Sequence, residues 1–168
     1  MVIVLAMHGS PPNDFPEDEK VEYFKLHATP SAVRNRSLTD RLDLLEAKIR
    51  HWPRTEQNDF FHASSHKLAV SIQVKSGCTT LVGFNEFCNP TVAEALDQAV
   101  RRAEGAVAVV TPMMTPGGKH AEREIPLLIQ EAKQRHPGTD IVYVWPFDVS
   151  DVASFLTEQI QRRFPRNK

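Results

Sequence analysis

The chain has 168 residues, of which 41% are hydrophobic and 24% charged, and its formal net charge is −1. This length fits one domain with its own core, and the composition excludes a disordered chain. The small net charge gives no general attraction to nucleic acid or to an acidic membrane, and no apolar run approaches the ~20 residues of a transmembrane helix. The first residues lack the basic region and cleavage site of a signal peptide, so we expect a cytoplasmic protein without nucleic-acid or membrane partners.

The first predicted element is a β-strand over residues 2–6, where an apolar run ends at a glycine-containing turn. Residues 11–56 are polar and interrupted by proline, but two stretches within them predict helices. A short helix is expected over residues 16–27, and leucine and isoleucine at three- and four-residue steps predict a better one over residues 38–49. We interpret residues 11–56 as a helical insertion that acts as a structural flap or a dimer contact.

Helices and strands alternate regularly in the rest of the chain. A helix is predicted over residues 58–74, with Phe61, Leu68, Ala69 and Ile72 facing inward, and a strand over residues 79–84. The elements that follow are a helix over 92–100, a strand over 106–111, a helix over 125–132, a strand over 141–145 and a helix over 152–160. The apolar face of the last helix would carry Val152, Phe155, Leu156 and Ile160.

This alternation predicts right-handed β–α–β units and therefore an α/β fold with a parallel sheet. We expect four strands in flavodoxin-like order, with helices on both faces of the sheet and a helical insertion after the first strand. The whole chain, residues 1–168, would form a single domain.

Three side chains with metal-binding and proton-transfer chemistry follow three different predicted strands. His8 comes directly after the first strand, Glu86 after the second, and His120 after the third and the loop that ends in Gly117-Gly118. Parallel strands end at one edge of a sheet, where ligands bind, so these groups are expected to converge. Two imidazoles and a carboxylate suit a borderline divalent ion such as Fe, Co, Ni or Zn, and they can also move protons near neutral pH.

Other interpretations exist for these residues, and a second pair of histidines needs one of its own. Taken singly, His8 is more often a hydrogen-bonded turn residue, and Glu86 a solvated charge. Histidine phosphatases also place a His-Gly pair after the first strand, but they need an arginine just before the histidine, where this chain has Met7. His62 and His66 lie four residues apart on a predicted helix, and without a third ligand we interpret them as a surface pair.

Three blocks of sequence resemble those of class II chelatases of the CbiX/SirB type, which insert a divalent metal into sirohydrochlorin during cobalamin or siroheme synthesis. Met7-His8-Gly9-Ser10 resembles the His-Gly-Ser turn of that family. Residues 83–92 (GFNEFCNPTV) resemble its acidic strand end, which is followed by Pro-Ser/Thr and a helix. Residues 115–126 (TPGGKHAEREIP) resemble its Gly-x-His-x-x-x-Asp-Ile-Pro loop. The resemblance covers residues 1–10 and 58 to about 160.

The resemblance implies a chelatase-like fold and a metal chelatase, that is, a lyase of tetrapyrrole biosynthesis. The two active-site histidines of the family fall on His8 and His120, and its acidic residue on Glu86. These side chains would bind the incoming ion and receive the pyrrole protons. No permanent cofactor is implied, because the divalent metal (Co, Fe or Ni) is a substrate. Family members with one such unit pair as homodimers, so a homodimer is expected.

Residues beside these blocks are expected to contact the tetrapyrrole. Apolar side chains would form walls for the flat ring, with core packing as their alternative role. The two glycines would let the ring approach the main chain. The candidates are Ser10, Phe84, Phe87, Met113, Met114, Gly117, Gly118 and Lys119.

Two departures from the family pattern leave the tetrapyrrole open, and the metal is open because two histidines and a glutamate suit cobalt, iron and nickel alike. Pro11 stands where the family usually has arginine after His-Gly-Ser, and the insertion is long for the group. Lys119 and Arg123 are candidate partners for the carboxylates of sirohydrochlorin, with surface solvation as their alternative role. A non-catalytic carrier of metal or tetrapyrrole would use the same residues and is the alternative function.

Overall fold

In the computed structural model, which describes residues 1–165, a parallel sheet lies between two layers of helices. The strands are β1 (Val2–Met7), β2 (Thr80–Phe84), β3 (Val107–Val110) and β4 (Ile141–Tyr143). They pair in the order β2-β1-β3-β4, and every pair is parallel. This is the flavodoxin-like order, so the predicted fold class is confirmed. Residues 166–168 of the predicted domain lie outside the described residues.

Within residues 1–165, six α-helices connect and flank the strands, and each overlaps a predicted helix. They are α1 (Glu17–Ala28), α2 (Arg36–Arg50), α3 (Phe60–Ser76), α4 (Val92–Arg102), α5 (Ile125–Arg135) and α6 (Val149–Arg163). Side-chain caps define where α2 and α3 begin. The Asn35 side chain accepts a hydrogen bond from the backbone N–H of Leu38, and the Asp59 side chain accepts one from that of His62. None of the helices in the described part of the chain combines the length and apolar character needed to span a bilayer.

One face of the sheet packs against α4 and α5. Alternate residues of β1, such as Val4 and Ala6, point to this face, as does Val109 of β3. Helix α4 turns Val92 and Leu96 toward them, at the three- to four-residue spacing of a buried helical stripe. This core fixes the β2–α4 and β3–α5 connections that carry the polar residues at the strand ends.

The insertion packs on the opposite face of the sheet together with α3. Leu45 and Ile49 of α2 are fully buried in one cluster with Leu5 of β1 and Phe84 of β2. The insertion is therefore part of the hydrophobic core rather than a flap over it. Its removal would expose apolar side chains of β1 and β2.

Two helices depart in part from the faces that the sequence predicts. On α3, Ala69 is buried and Ile72 packs against the core as predicted, but Phe61 and Leu68 are each 39% exposed, and the small side chain of Ser65 is buried. Small residues on this face let the helix backbone lie close to the sheet. On α6 no residue is buried, and Phe155 and Leu156 are exposed. The apolar row of α6 therefore faces outward in the single chain.

Candidate metal centre

The turns that follow β1 and β2 are joined by backbone hydrogen bonds. The Asn85 N–H donates to the Met7 carbonyl at 2.9 Å, and the Glu86 N–H donates to the His8 carbonyl at 2.8 Å. Gly9 has φ +100°, and a Cβ atom there would lie 1.9 Å from the Glu86 carbonyl oxygen. Only glycine fits so close an approach. The pairing of the two strands thus continues far enough to hold His8 beside Glu86.

His8, Glu86 and His120 meet at the carboxyl edge of the sheet. The His8 Nε2 atom is 4.0 Å from the Glu86 carboxylate, and the rings of His8 and His120 are 4.4 Å apart, nearly perpendicular to each other. One ligand atom from each of the three residues lies within 4.8 Å of the other two. Such a group can hold a borderline divalent ion and leave further coordination positions open. The expected convergence is present, and the metal-binding role stays a prediction.

Glu124 orients His120 from the next turn of the helix. His120 begins a π-helical turn, His120–Glu124, a distortion that is often found at functional sites. Its Nδ1 atom hydrogen bonds to Glu124, whose other oxygen pairs with Lys119 at 2.5 Å. Burial alone would raise the pKa of the Glu124 carboxyl, but hydrogen bonds from Lys119 and His120 lower it below its ordinary value. A carboxylate on Nδ1 leaves the Nε2 lone pair of His120 for a metal ion.

Replacing Glu124 with glutamine is expected to weaken metal binding by about 10–100-fold, the usual cost of removing a carboxylate that orients a ligating histidine. A titration of the purified protein with Co(II), followed by visible absorbance, measures this change. Glu122→Gln is the matched control, because Glu122 lies in the same turn but accepts from the Gly117 N–H instead. Equal Co(II) affinities for the two variants would contradict an orienting role for Glu124.

A cleft of about 290 Å³ adjoins the group of His8, Glu86 and His120 and separates the insertion from α5. The insertion contributes Tyr23, His27, Glu46 and Arg50 to one wall, and the other residues that line the cleft are Asn85, Glu86, Lys119, Glu124, Leu127 and Leu128. Burial, together with the charges of Glu46 and Glu86, raises the pKa of Tyr23 to about 12, so its hydroxyl group stays protonated. The insertion therefore shapes the space beside His8, Glu86 and His120.

Arg54 connects the insertion to both turns of the site, and nothing in the sequence pattern indicated it. Its side chain is 7% exposed and forms an ion pair with Asp59, which is fully buried. The guanidinium group also donates to the carbonyls of Ser10 and Ile49, both at 2.8 Å, and of Phe87, at 2.5 Å. One buried cation thus holds the turn after β1, the turn after β2 and the end of α2.

Arg50 strengthens the same connection from the last turn of α2. Its guanidinium group donates to the backbone carbonyls of Cys88 and Asn85, both at 3.2 Å, and to the Glu46 carboxylate. The neighbouring Cys88 is buried, and burial raises the pKa of its thiol. Cys88 is therefore an inert packing residue, and the two arginines stabilise the turn that carries Glu86.

The prediction that Phe84 forms a wall for the ligand is wrong. Phe84 is 0% exposed and stacks on His62, with ring centroids 5.2 Å apart. Its side chain points to the insertion-covered face of the sheet, because strand side chains project from the faces rather than from the end. Phe87, 7% exposed, packs on Tyr23 and lies behind the His8 ring. Both aromatic residues therefore belong to the core that supports the site.

The other predicted contact residues differ in whether they are open to a ligand at the site. The Ser10 hydroxyl donates to Asp59 and so belongs to the Arg54 network, and Met113 packs against the core. Met114 lines a different cavity, of about 200 Å³, together with Phe147 and Phe155. Gly117, Gly118 and Lys119 are exposed near His120, and nothing lies within 4 Å of a Cβ atom built on either glycine. Of the predicted contacts, these last three remain open to a ligand.

Comparison with known proteins gives consistent matches. The family model CbiX matches residues 58–163. A sirohydrochlorin cobaltochelatase of Priestia megaterium is 32% identical over 101 residues, which cover 60% of this chain and 31% of that protein. A sirohydrochlorin ferrochelatase of Priestia megaterium is 25% identical over 134 residues, which cover 75% of this chain and 47% of that protein.

Among solved structures, the sirohydrochlorin chelatase SirB from Bacillus subtilis subspecies spizizenii in complex with cobalt aligns with a TM-score of 0.52 and 15% sequence identity. The alignment covers 96% of this chain and 50% of that chain, and it supports the fold described above. The chain thus spans half or less of the length of these relatives. The family model begins after the insertion, so it includes Glu86 and His120 but not His8. The position of His8 beside these two residues comes from the fold.

Proposed function

The chain belongs to the CbiX family, and on that premise we propose that it is a metal chelatase that inserts a divalent ion into sirohydrochlorin or a closely related tetrapyrrole. The observation that carries the proposal is the convergence of His8, Glu86 and His120 at one edge of the sheet. The curated relatives are a cobaltochelatase and a ferrochelatase of sirohydrochlorin, which makes Co(II) and Fe(II) the first ions to test, with Ni(II) as a third. The metal is a substrate, and the proposal includes no permanent cofactor.

In the proposed mechanism the three side chains first hold the ion. The imidazoles of His8 and His120 and the Glu86 carboxylate supply three protein ligands, and water completes the coordination shell. Glu124 keeps the His120 ring in the orientation that turns Nε2 toward the ion. Since three ligands leave open positions, nitrogen atoms of the macrocycle can replace the water molecules one after another.

Insertion also releases two protons, because both pyrrole N–H groups of the macrocycle must lose theirs as the metal–nitrogen bonds form. As the ion moves to the ring, Glu86 and an imidazole lose their metal bonds and regain free lone pairs. They can accept the two protons and pass them to water, since both groups are partly exposed. The same residues therefore first bind the metal and then act as general bases.

The macrocycle would lie against the exposed loop that contains Gly117 and Gly118, with one edge in the cleft beside Glu86. The cleft, at about 290 Å³, is at the lower end of the range for ligand sites, so it would hold only part of a tetrapyrrole. Lys119 is exposed at its rim and would pair with a carboxylate of the substrate.

Steady-state turnover tests the proposal. Purified protein is mixed with an excess of sirohydrochlorin and, separately, with Co(II), Fe(II) or Ni(II), while the absorbance change of metalation is followed. A chelatase converts many equivalents of substrate with at least one ion, well above the rate without protein. A carrier of metal or tetrapyrrole, the alternative function, instead binds stoichiometrically and leaves that rate unchanged.

We further propose that the chain is one chelatase-like unit that pairs with a second copy. The relatives are at least about twice as long as the aligned segments, so a second unit has a precedent in length. In the single chain, Val142 of β4 and Val144 just after it are exposed, and α6 exposes Phe155, Leu156 and Ile160. A second copy on this side would remove these apolar groups from water.

The oligomeric state of the wild type and of Phe155→Asp tests the pairing. Sedimentation velocity is expected to give a dimer for the wild type and a monomer for the variant, because a charge in an apolar interface is not solvated. Val33→Asp is the control, since Val33 is also an exposed apolar residue, at 68% against 47% for Phe155, but belongs to the insertion. A wild-type monomer at all concentrations would refute the dimer while leaving the chelatase proposal intact.

A further inference from the structure

His62 and His66 form a second pair of convergent imidazoles, away from the cluster of His8, Glu86 and His120. They lie one turn apart on α3, and their Nε2 atoms are 3.2 Å from each other. The His62 ring stacks on Phe84 at 5.2 Å with an interplanar angle of 17°, which fixes its orientation. His66 is exposed at the surface of the helix, so the pair is accessible to solvent.

The separation of the two nitrogen atoms matches that of two ligands on one ion. Imidazole nitrogen atoms bind Zn(II) at about 2.0–2.1 Å, and at a near-tetrahedral angle two of them lie about 3.3 Å apart. The observed 3.2 Å is close to this separation. Residues four apart on a helix share one face, so the helix itself provides this geometry.

The chemistry of the pair also suits a metal. Partial burial of the rings lowers the pKa of both imidazoles, which favours the neutral form that binds metal ions. The group of three or more potential ligands found within residues 1–165 is the one at His8, and it includes neither His62 nor His66. The pair would thus provide two nitrogen ligands, and water would provide the others.

We propose that His62 and His66 form a second, surface-accessible metal site that binds a borderline divalent ion such as Ni(II), Co(II) or Zn(II) through both Nε2 atoms. Nitrogen ligands select this class of ion over Mg(II) and Ca(II), which prefer oxygen. The site requires no tetrapyrrole, so it stands or falls separately from the proposed chelation.

Calorimetric titration with Ni(II) alone tests the site in a His120→Ala background, which disables the first group of ligands. We expect this variant to bind one equivalent of Ni(II), and His120→Ala/His66→Gln to bind none. His120→Ala/His51→Gln is the matched control, because His51 is an exposed histidine at the end of α2 whose Nδ1 contacts the Ala47 carbonyl, and it should still bind one equivalent. Thermal melts in chelator verify that all three variants fold.

The opposite results would overturn the second site. If His120→Ala and His120→Ala/His66→Gln bind the same amount of Ni(II), the two rings are joined only by a hydrogen bond between neutral imidazoles. The same conclusion follows if His120→Ala binds no Ni(II) at all. If His120→Ala instead still binds two equivalents and loses one with His66→Gln, the second site holds and the role of His120 in the first is refuted.

Discussion

Cobalt insertion into sirohydrochlorin is expected to slow by about 10²–10⁴-fold when His120 is replaced by alanine, the usual effect of losing a group that transfers protons. The variant loses a metal ligand and a proton acceptor together, and Glu124 is left facing a space where the imidazole was. Initial rates of the absorbance change, measured with wild type and variant at equal concentration, give this ratio directly.

The control for this experiment is His51→Ala, which removes a histidine from the end of α2. His51 does not line the cleft, so its loss should leave the insertion rate close to that of the wild type. Circular dichroism verifies that both variants are folded. A His120→Ala rate within a few-fold of the control would refute the assignment of His120.

Loss of the buried guanidinium group in Arg54→Met is expected to lower the free energy of unfolding by about 3–5 kcal/mol, as happens when one partner of a buried ion pair is removed. Asp59 would remain as a buried, uncompensated carboxylate, and the carbonyls of Ser10 and Phe87 would lose their donor. Urea unfolding measures the loss. Co(II) affinity, measured where the variant is still folded, should also fall, because both turns of the metal centre lose their anchor.

Arg41→Met is the matched control for Arg54→Met. Arg41 lies in the same insertion and also pairs with a carboxylate, Glu22, but both side chains are exposed. The midpoint of its urea transition should stay close to that of the wild type. The double variant Arg54→Met/Asp59→Asn should recover part of the loss, since it no longer buries a lone charge. Equal midpoints for Arg54→Met and Arg41→Met would show that the buried network contributes little.

The sheet and its order follow from the sequence because each strand is a short apolar run and right-handed crossovers allow few topologies. The buried face of α3 does not follow in the same way. This helix carries apolar residues all around, including Phe60, Val70 and Val74, so periodicity cannot select one side. Packing against the sheet favours the small side chains, Ser65 and Ala69, over the large ones.

The three candidate ligands could be predicted because parallel strands end at a common edge. Glu124 could have been found as well, since it lies four residues after His120 on one helical face. Arg54 could not. An arginine and an aspartate in a polar, proline-containing stretch are typical of solvated charges, and their burial arises only when the insertion packs onto the turns of the site.

A shortened variant without residues 11–56 would therefore not keep the candidate metal centre intact. The deletion would uncover part of the apolar cluster that contains Leu5 and Phe84, and would remove both arginines that hold the carbonyls of Asn85 and Phe87. The insertion carries no family motif, yet it offers positions at which the site can be changed by protein engineering. On the proposed function, substitutions along α2 are expected to alter the position of Glu86, and hence the ion preference, while His8, Glu86 and His120 are all retained.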